Sequence, residues 1–256
     1  MLELKNVNLM LNEKPILKDI NFLVENNKIT ALIGANGAGK TSIFNCIARF
    51  LLKYEGSILI DGEDIKTIKH KEYAKLISTL KQSSQINLRI TIYELVCFGR
   101  FPHCGGRLKD IDKEKVLSAI EYVGLSEIKN KYLDELSGGE RQRAYIAMII
   151  AQDTKYILLD EPLNNLDMKY SVEFMILLNR LVKELNKTIL IVLHDINMAA
   201  SYCDYMIALK DGNIHYQGSP DEMLNKKILD EVFDHDFCIA NVDGQKTCIY
   251  YNRSRK

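Results

Sequence analysis

The stretch Gly34-Ala-Asn-Gly-Ala-Gly39-Lys40-Thr41, with Ser42 after it, limits the folds open to this chain more than any other feature. It fits the spacing GxxxxGK[ST]. A β-branched run at 29–33 leads in, and an apolar-periodic segment at 40–52 leads out. Glycines at 34, 37 and 39 let the backbone curl so that several N–H groups face inward. Those amides and the start of a helix make an anion cradle. Lys40 then reaches the β- and γ-phosphates, and the Thr41 hydroxyl takes one Mg²⁺ position. Gly34, Asn36, Gly37, Ala38, Gly39, Lys40, Thr41 and Ser42 form the candidate phosphate-binding set. A strand–loop–helix unit of this kind calls for a parallel sheet, with ligand at the carboxyl ends of the strands.

Beyond that loop, short β-branched runs alternate with longer helical patterns. Strands are expected at 29–33, 57–60, 76–80, 156–159, 188–193 and 205–209. The runs 156–159 and 189–193 are apolar on both faces, as in a covered parallel sheet. Helices are expected at 40–52, 112–123, 138–151, 168–185 and 196–203. From about 87 to 152 the strand signal disappears and helix dominates. The expectation is one α/β domain over 1–256, with a helical subdomain at about 87–152 inserted into a core of 1–86 and 153–256. The first 24 residues alternate weakly, which predicts antiparallel strands at one edge.

Composition narrows the function class. Lys+Arg and Asp+Glu are 34 each, so the net charge is zero and there is no basic excess for nucleic acid. At 47% hydrophobic and 27% charged residues the chain is ordinary globular material rather than a disordered one. The six cysteines make no CxxC pair and no His cluster accompanies them, so free thiols in a reducing cytosol are expected. The opening MLELKNVNLM has no basic-then-apolar signal pattern. The longest apolar run, 144–151, is far short of the ~20 residues that span a bilayer, so membrane association must go through a partner.

A second motif, Tyr156-Ile-Leu-Leu-Asp160-Glu161-Pro162, ends an apolar strand in two adjacent carboxylates. Asp160 suits Mg²⁺, and Glu161 suits a general base that activates water. Neighbouring carboxylates repel each other unless a cation intervenes. The third motif is Leu136-Ser137-Gly138-Gly139-Glu140. Ser137 and Glu140 read as a capping box, and a Ser-Gly-Gly helix start is also a second anion site. One ATP can use both anion sites if they come from facing subunits, which gives a two-fold dimer with two composite sites.

Together GANGAGKT, ILLDEP and LSGGE resemble the nucleotide-binding subunit of an ABC transporter, over nearly the whole chain. The resemblance implies a P-loop ATPase that binds ATP and Mg²⁺ and works as a homodimer. It also implies integral membrane permease subunits, and through them an extracytoplasmic substrate-binding protein. The location implied is the cytoplasmic face of the membrane. ATP would close the dimer and hydrolysis reopen it. By the same resemblance Gln82 matches the Q-loop glutamine that binds Mg²⁺ and senses the γ-phosphate, with Gln85 a weaker candidate. Asp167 matches the aspartate that crosses the dimer interface, and His194 the switch histidine on the γ-phosphate. Glu161, His194 and Gln82 are thus the catalytic candidates. Ser137, Gly138, Gly139, Glu140 and Asp167 join the nucleotide set, and Thr41, Gln82 and Asp160 the metal set. Where the family places an adenine-stacking aromatic residue, this chain has Leu11, which lacks a π-face.

The segment Glu94-Leu-Val-Cys-Phe-Gly-Arg100-Phe-Pro102 and the stretch His194-Asp-Ile-Asn197-Met-Ala-Ala resemble importers for ferric siderophores, haem and cobalamin. An ordinary helix stop is the plainer reading of Gly-Arg-Phe-Pro. The reading taken is import of an iron–siderophore or related chelate. Haem or cobalamin import, or a soluble ABC ATPase without a permease, are the alternatives. Arg100 and Phe101 are expected to line the groove that docks the permease.

Overall fold

The computed structural model describes residues 1–81, 89–164 and 166–251. In chain order its strands and helices are β1 (Leu2–Leu11), β2 (Lys14–Val24), β3 (Ile29–Gly34), α1 (Lys40–Ile47), β4 (Glu55–Ile60), β5 (Glu63–Asp64), α2 (His70–Leu76) and β6 (Ile77–Leu80). The helices α3 (Ile92–Phe98), α4 (Phe101–Cys104), α5 (Asp110–Tyr122) and α6 (Gly138–Gln152) come next. Then follow β7 (Tyr156–Asp160), α7 (Met168–Leu185), β8 (Thr188–Val192), α8 (Ile196–Tyr202), β9 (Tyr205–Lys210) and β10 (Asn213–Gly218). The chain closes with α9 (Pro220–Met223), α10 (Lys226–Phe233), β11 (Cys238–Val242) and β12 (Gln245–Ile249). The chain divides into two compact units, Met1–Thr67 with Thr188–Lys256, and Ile68–Lys187.

In the first unit β3 pairs in parallel with β8 on one side and β9 on the other, and β10 joins β9 antiparallel. Every residue of β3 and of β8 is buried. That is why their sequences are continuous apolar runs rather than alternating ones. The first 24 residues do form antiparallel strands, β1 with β2. They belong to a sheet of their own, in the order β2-β1-β4-β5. α1 ends at Ile47, short of the expected 52. Arg49 turns left-handed at φ 61°, and the Phe50 and Leu51 amides close onto Asn45 O. Phe50 and Leu52 are consequently exposed.

In the second unit β6 and β7 pair in parallel. Between Ile92 and Gln152 the regular elements among the described residues are helices. α2, β6, β7 and α7 also belong to this unit. α7 occupies the expected span, capped by Asp167 at its start and by a left-handed Asn186 at its end. It buries Phe174, Met175, Leu177, Leu178, Leu181 and Val182. Each such side chain contributes roughly 1.5–3 kcal/mol of transfer free energy.

Candidate functional site

The candidate phosphate loop, 34–42, lies in the first unit. Gly34 ends β3 at φ 142°, and a Cβ there would stand 2.3 Å from Leu209 O. No other residue fits so close to that backbone. Gly39 caps α1 at φ 108° without any side-chain cap, which leaves the first-turn amides for an anion. Lys40 is buried, 5% exposed. Its Nζ donates to Gly34 O at 2.7 Å and Ala35 O at 2.9 Å. A buried ammonium is thus held on the loop's own carbonyls.

His194 follows from the register of the same sheet. Leu32 stands opposite Val192 in the parallel pair β3–β8, and Leu193 N donates to Leu32 O at 3.1 Å. His194, two residues past Val192, therefore leaves its strand level with Gly34. It is exposed. Asp195 next to it caps α8, accepting from Met198 N at 2.9 Å. Leu11, the last residue of β1, is 38% exposed.

The carboxylates and the Ser-Gly-Gly helix start lie in the second unit. Asp160 ends β7 and is 3% exposed. Glu161 sits at φ 51°, a left-handed conformation that costs a non-glycine residue on the order of 1 kcal/mol. Its Oε2 accepts from Asn164 Nδ2 at 2.7 Å. Ser137 Oγ accepts from Glu140 N at 3.3 Å, and Glu140 Oε2 accepts from Ser137 N at 2.9 Å. The expected capping box is therefore present at the start of α6. The Ser137 hydroxyl, then its amide, hold the Glu140 carboxyl below its ordinary value. The two glycines differ. A Cβ on Gly139 would meet the Tyr170 ring at 2.5 Å, whereas one on Gly138 would find nothing nearer than Leu166 Cδ2 at 3.8 Å. Packing within the unit thus demands Gly139 but not Gly138. Asp167 caps α7 by accepting from Tyr170 N at 2.9 Å.

Gln82 and Gln85 lie outside the described residues, as does the C-terminal 252–256. The docking expectation for Arg100 is overturned. Arg100 is 6% exposed. Its Nε meets Asp112 Oδ1 at 3.0 Å, and its Nη1 donates to Ala151 O at 2.7 Å. It fastens α4 to α5 and to the end of α6, so it offers no cation to a partner. Phe101 beside it is 61% exposed. Two polar residues escaped the sequence reading. Asn164 orients Glu161 by a side-chain to side-chain bond that no local turn pattern marks. Gln142 Nε2 donates to Pro162 O at 2.9 Å and joins α6 to the Asp160–Glu161 turn. Its partner is 20 residues away, so no local signal marked it.

The chain is similar to known proteins over most of its length. The family profile described as "ABC transporter" matches residues 17–164. The petrobactin import ATP-binding protein YclP of Bacillus subtilis (strain 168) is 50% identical over 252 residues, which is 98% of this chain and 100% of that protein. The iron(3+)-hydroxamate import ATP-binding protein FhuC of the same strain is 40% identical over 226 residues, 88% of this chain and 84% of that one. Among solved structures, the dimeric bacterial ABC transporter cassette MJ0796 superposes with a TM-score of 0.74 at 28% identity, covering 86% of this chain and 99% of that one.

Proposed function

This chain belongs to the ABC transporter family of ATP-hydrolysing subunits, and from that premise we propose that it powers import of a ferric siderophore, petrobactin foremost, through a membrane permease. The observation that carries the cargo class is the 50% identity to a petrobactin import subunit along 98% of this chain and all of that protein. Among the described residues no helix is long and apolar enough to cross a membrane, which suits a subunit that reaches the bilayer through permease partners.

Two copies form the working unit, each P-loop facing its partner's Ser137–Glu140 helix start. Lys40 trades the Gly34 and Ala35 carbonyls for the β- and γ-phosphates, and the uncapped amides of α1 hold the rest. The space at Gly138, which packing does not require, admits the partner's nucleotide. Glu161 accepts the proton of the attacking water. Its strained backbone and the Asn164 hydrogen bond fix the carboxylate before ATP arrives, and a preset base loses little to reorganisation. His194, level with Gly34, contacts the γ-phosphate. Mg²⁺, when bound, neutralises phosphate charge. Thr41, Asp160 and Gln82 are its proposed protein ligands, alone or through water. Among the described residues no group of three or more His, Cys, Asp or Glu could hold a metal. A site drawing most ligands from phosphates and water suits this small, reluctantly dehydrated cation. Asp167 reaches across the dimer, and Phe101 with Phe98, both more than half exposed, docks the permease.

A strain lacking this gene and supplied with it on a plasmid would be fed radio-iron as petrobactin, as a hydroxamate chelate and as haem, with labelled cobalamin alongside. Restored uptake from petrobactin, abolished by Lys40→Ala, is the expected outcome. Restoration of haem or cobalamin uptake alone would move the cargo to another class.

A further inference from the structure

One side chain that the catalytic reading leaves unused ties the C-terminal hairpin to α8, beside the bond from Lys246 Nζ to Asp221 O at 2.7 Å. Asn197 Nδ2 donates to Cys248 O at 3.0 Å, and Cys248 N donates to Asn197 Oδ1 at 2.8 Å. One amide therefore satisfies both backbone groups of a strand residue, as a neighbouring strand would. Among the described residues β11 and β12 pair only with each other, in the register Ile239 to Cys248. A lone two-stranded hairpin is marginal in water. Nearly all of β12 is exposed or half-exposed, and Cys248 is its buried residue. The clamp sits where that strand meets its support. Asn197 itself is in the first turn of α8, three residues after His194 and two after the Asp195 cap.

We propose that Asn197 is a positioning residue for ATP turnover: it ties the first turn of α8, and with it His194, to the C-terminal hairpin. The proposal rests on the reading of His194 as the γ-phosphate contact. Strand β8 fixes the chain on one side of His194, through the Leu193 N to Leu32 O bond. On the other side the chain passes at once into a seven-residue helix. Without the clamp the first turn of α8 loses its polar tie to β12, and the chain after His194 is left to the buried Ile196 and Ala199 and to the Ile29 N to Asp204 Oδ2 bond at 2.8 Å beyond the helix. Misplacement by about an ångström costs a reaction on the order of 100-fold.

The test measures turnover per ATP-binding site in purified full-length subunit, with sites counted by nucleotide titration. Asn197→Ala is expected to lower kcat at least tenfold with KM for ATP within twofold. Asn197→Asp keeps the acceptor for Cys248 N and loses the donor, so it should fall between. Cys248→Pro removes the N–H from the other side and should add nothing further to Asn197→Ala. His194→Ala, in parallel, should abolish turnover. A wild-type kcat for Asn197→Ala beside an inactive His194→Ala would overturn the proposal. So would an activity loss matched entirely by a loss of ATP-binding sites, which marks a folding defect. Wild-type turnover by His194→Ala would overturn the underlying reading, and the proposal with it.

Discussion

Replacing Arg100 by Met tests how the start of α4 is held. The Arg100–Asp112 pair has side chains 7% and 5% exposed, so neither charge is well solvated. Removing the cation leaves the Asp112 carboxylate buried, with the Lys109 amide at 3.0 Å as its remaining hydrogen-bond donor. It also strands Ala151 O, which accepted from Nη1. Breaking one side of a buried pair costs about 3–5 kcal/mol, and the surviving Lys109 bond points to the lower end. Arg100→Met should therefore destabilise the protein by about 3 kcal/mol, read from the urea midpoint at unchanged slope. Arg100→Met with Asp112→Asn removes both charges while an amide oxygen can still accept from Lys109 N. That double variant should recover about half the loss. A single variant within 0.5 kcal/mol of the parent, or a double variant no better than the single, would refute the buried-pair account. The Lys109 amide, and then Arg100, also hold the Asp112 carboxyl below its ordinary value. The pair's contribution is consequently complete above about pH 4, near the unfolded carboxylate pKa, and is lost as the pH falls through the lower folded value.

Phe101→Ala should leave basal ATPase intact and weaken permease binding by ~2 kcal/mol, because an exposed aromatic at an interface is a frequent hot spot. Co-purification with the permease checks it, and full retention would remove Phe101 from the docking surface. Leu11→Tyr should tighten ATP binding by ~0.5–1.5 kcal/mol, the worth of an aromatic contact beyond its area, and should widen the gap to GTP. Calorimetric titration of both nucleotides decides, and no change for either would mean that another side chain covers the base.

The buried strands were legible because parallel strands covered on both faces must be apolar throughout. β7 and β8 carry that pattern in their sequences. α7 was legible from its period and its two ends. α3 was missed although Thr91 and Glu94 form a capping box at its start; the segment is only seven residues long, too short for periodicity to declare itself. β11, β12 and α10 were missed because the strands are largely exposed and carry no steady alternation. The chemistry-bearing loops stood out in sequence because phosphate binding and water activation restrict residue types at fixed spacings. Arg100 misled for the opposite reason. A cation beside a phenylalanine looks like an interface, and only the fold reveals a carboxylate 12 residues on. The Asn197–Cys248 clamp spans 51 residues and leaves no mark in either local sequence.

If ATP is hydrolysed at a site shared by two copies of this chain, blocking hydrolysis should trap the pair. Glu161→Gln cannot accept the water's proton, so ATP should persist and hold the dimer closed. Light scattering of that variant with ATP and Mg²⁺ is expected to give twice the 29.3 kDa monomer mass, falling back to the monomer when ADP replaces ATP. A monomer that nonetheless binds ATP with normal affinity would contradict the shared site.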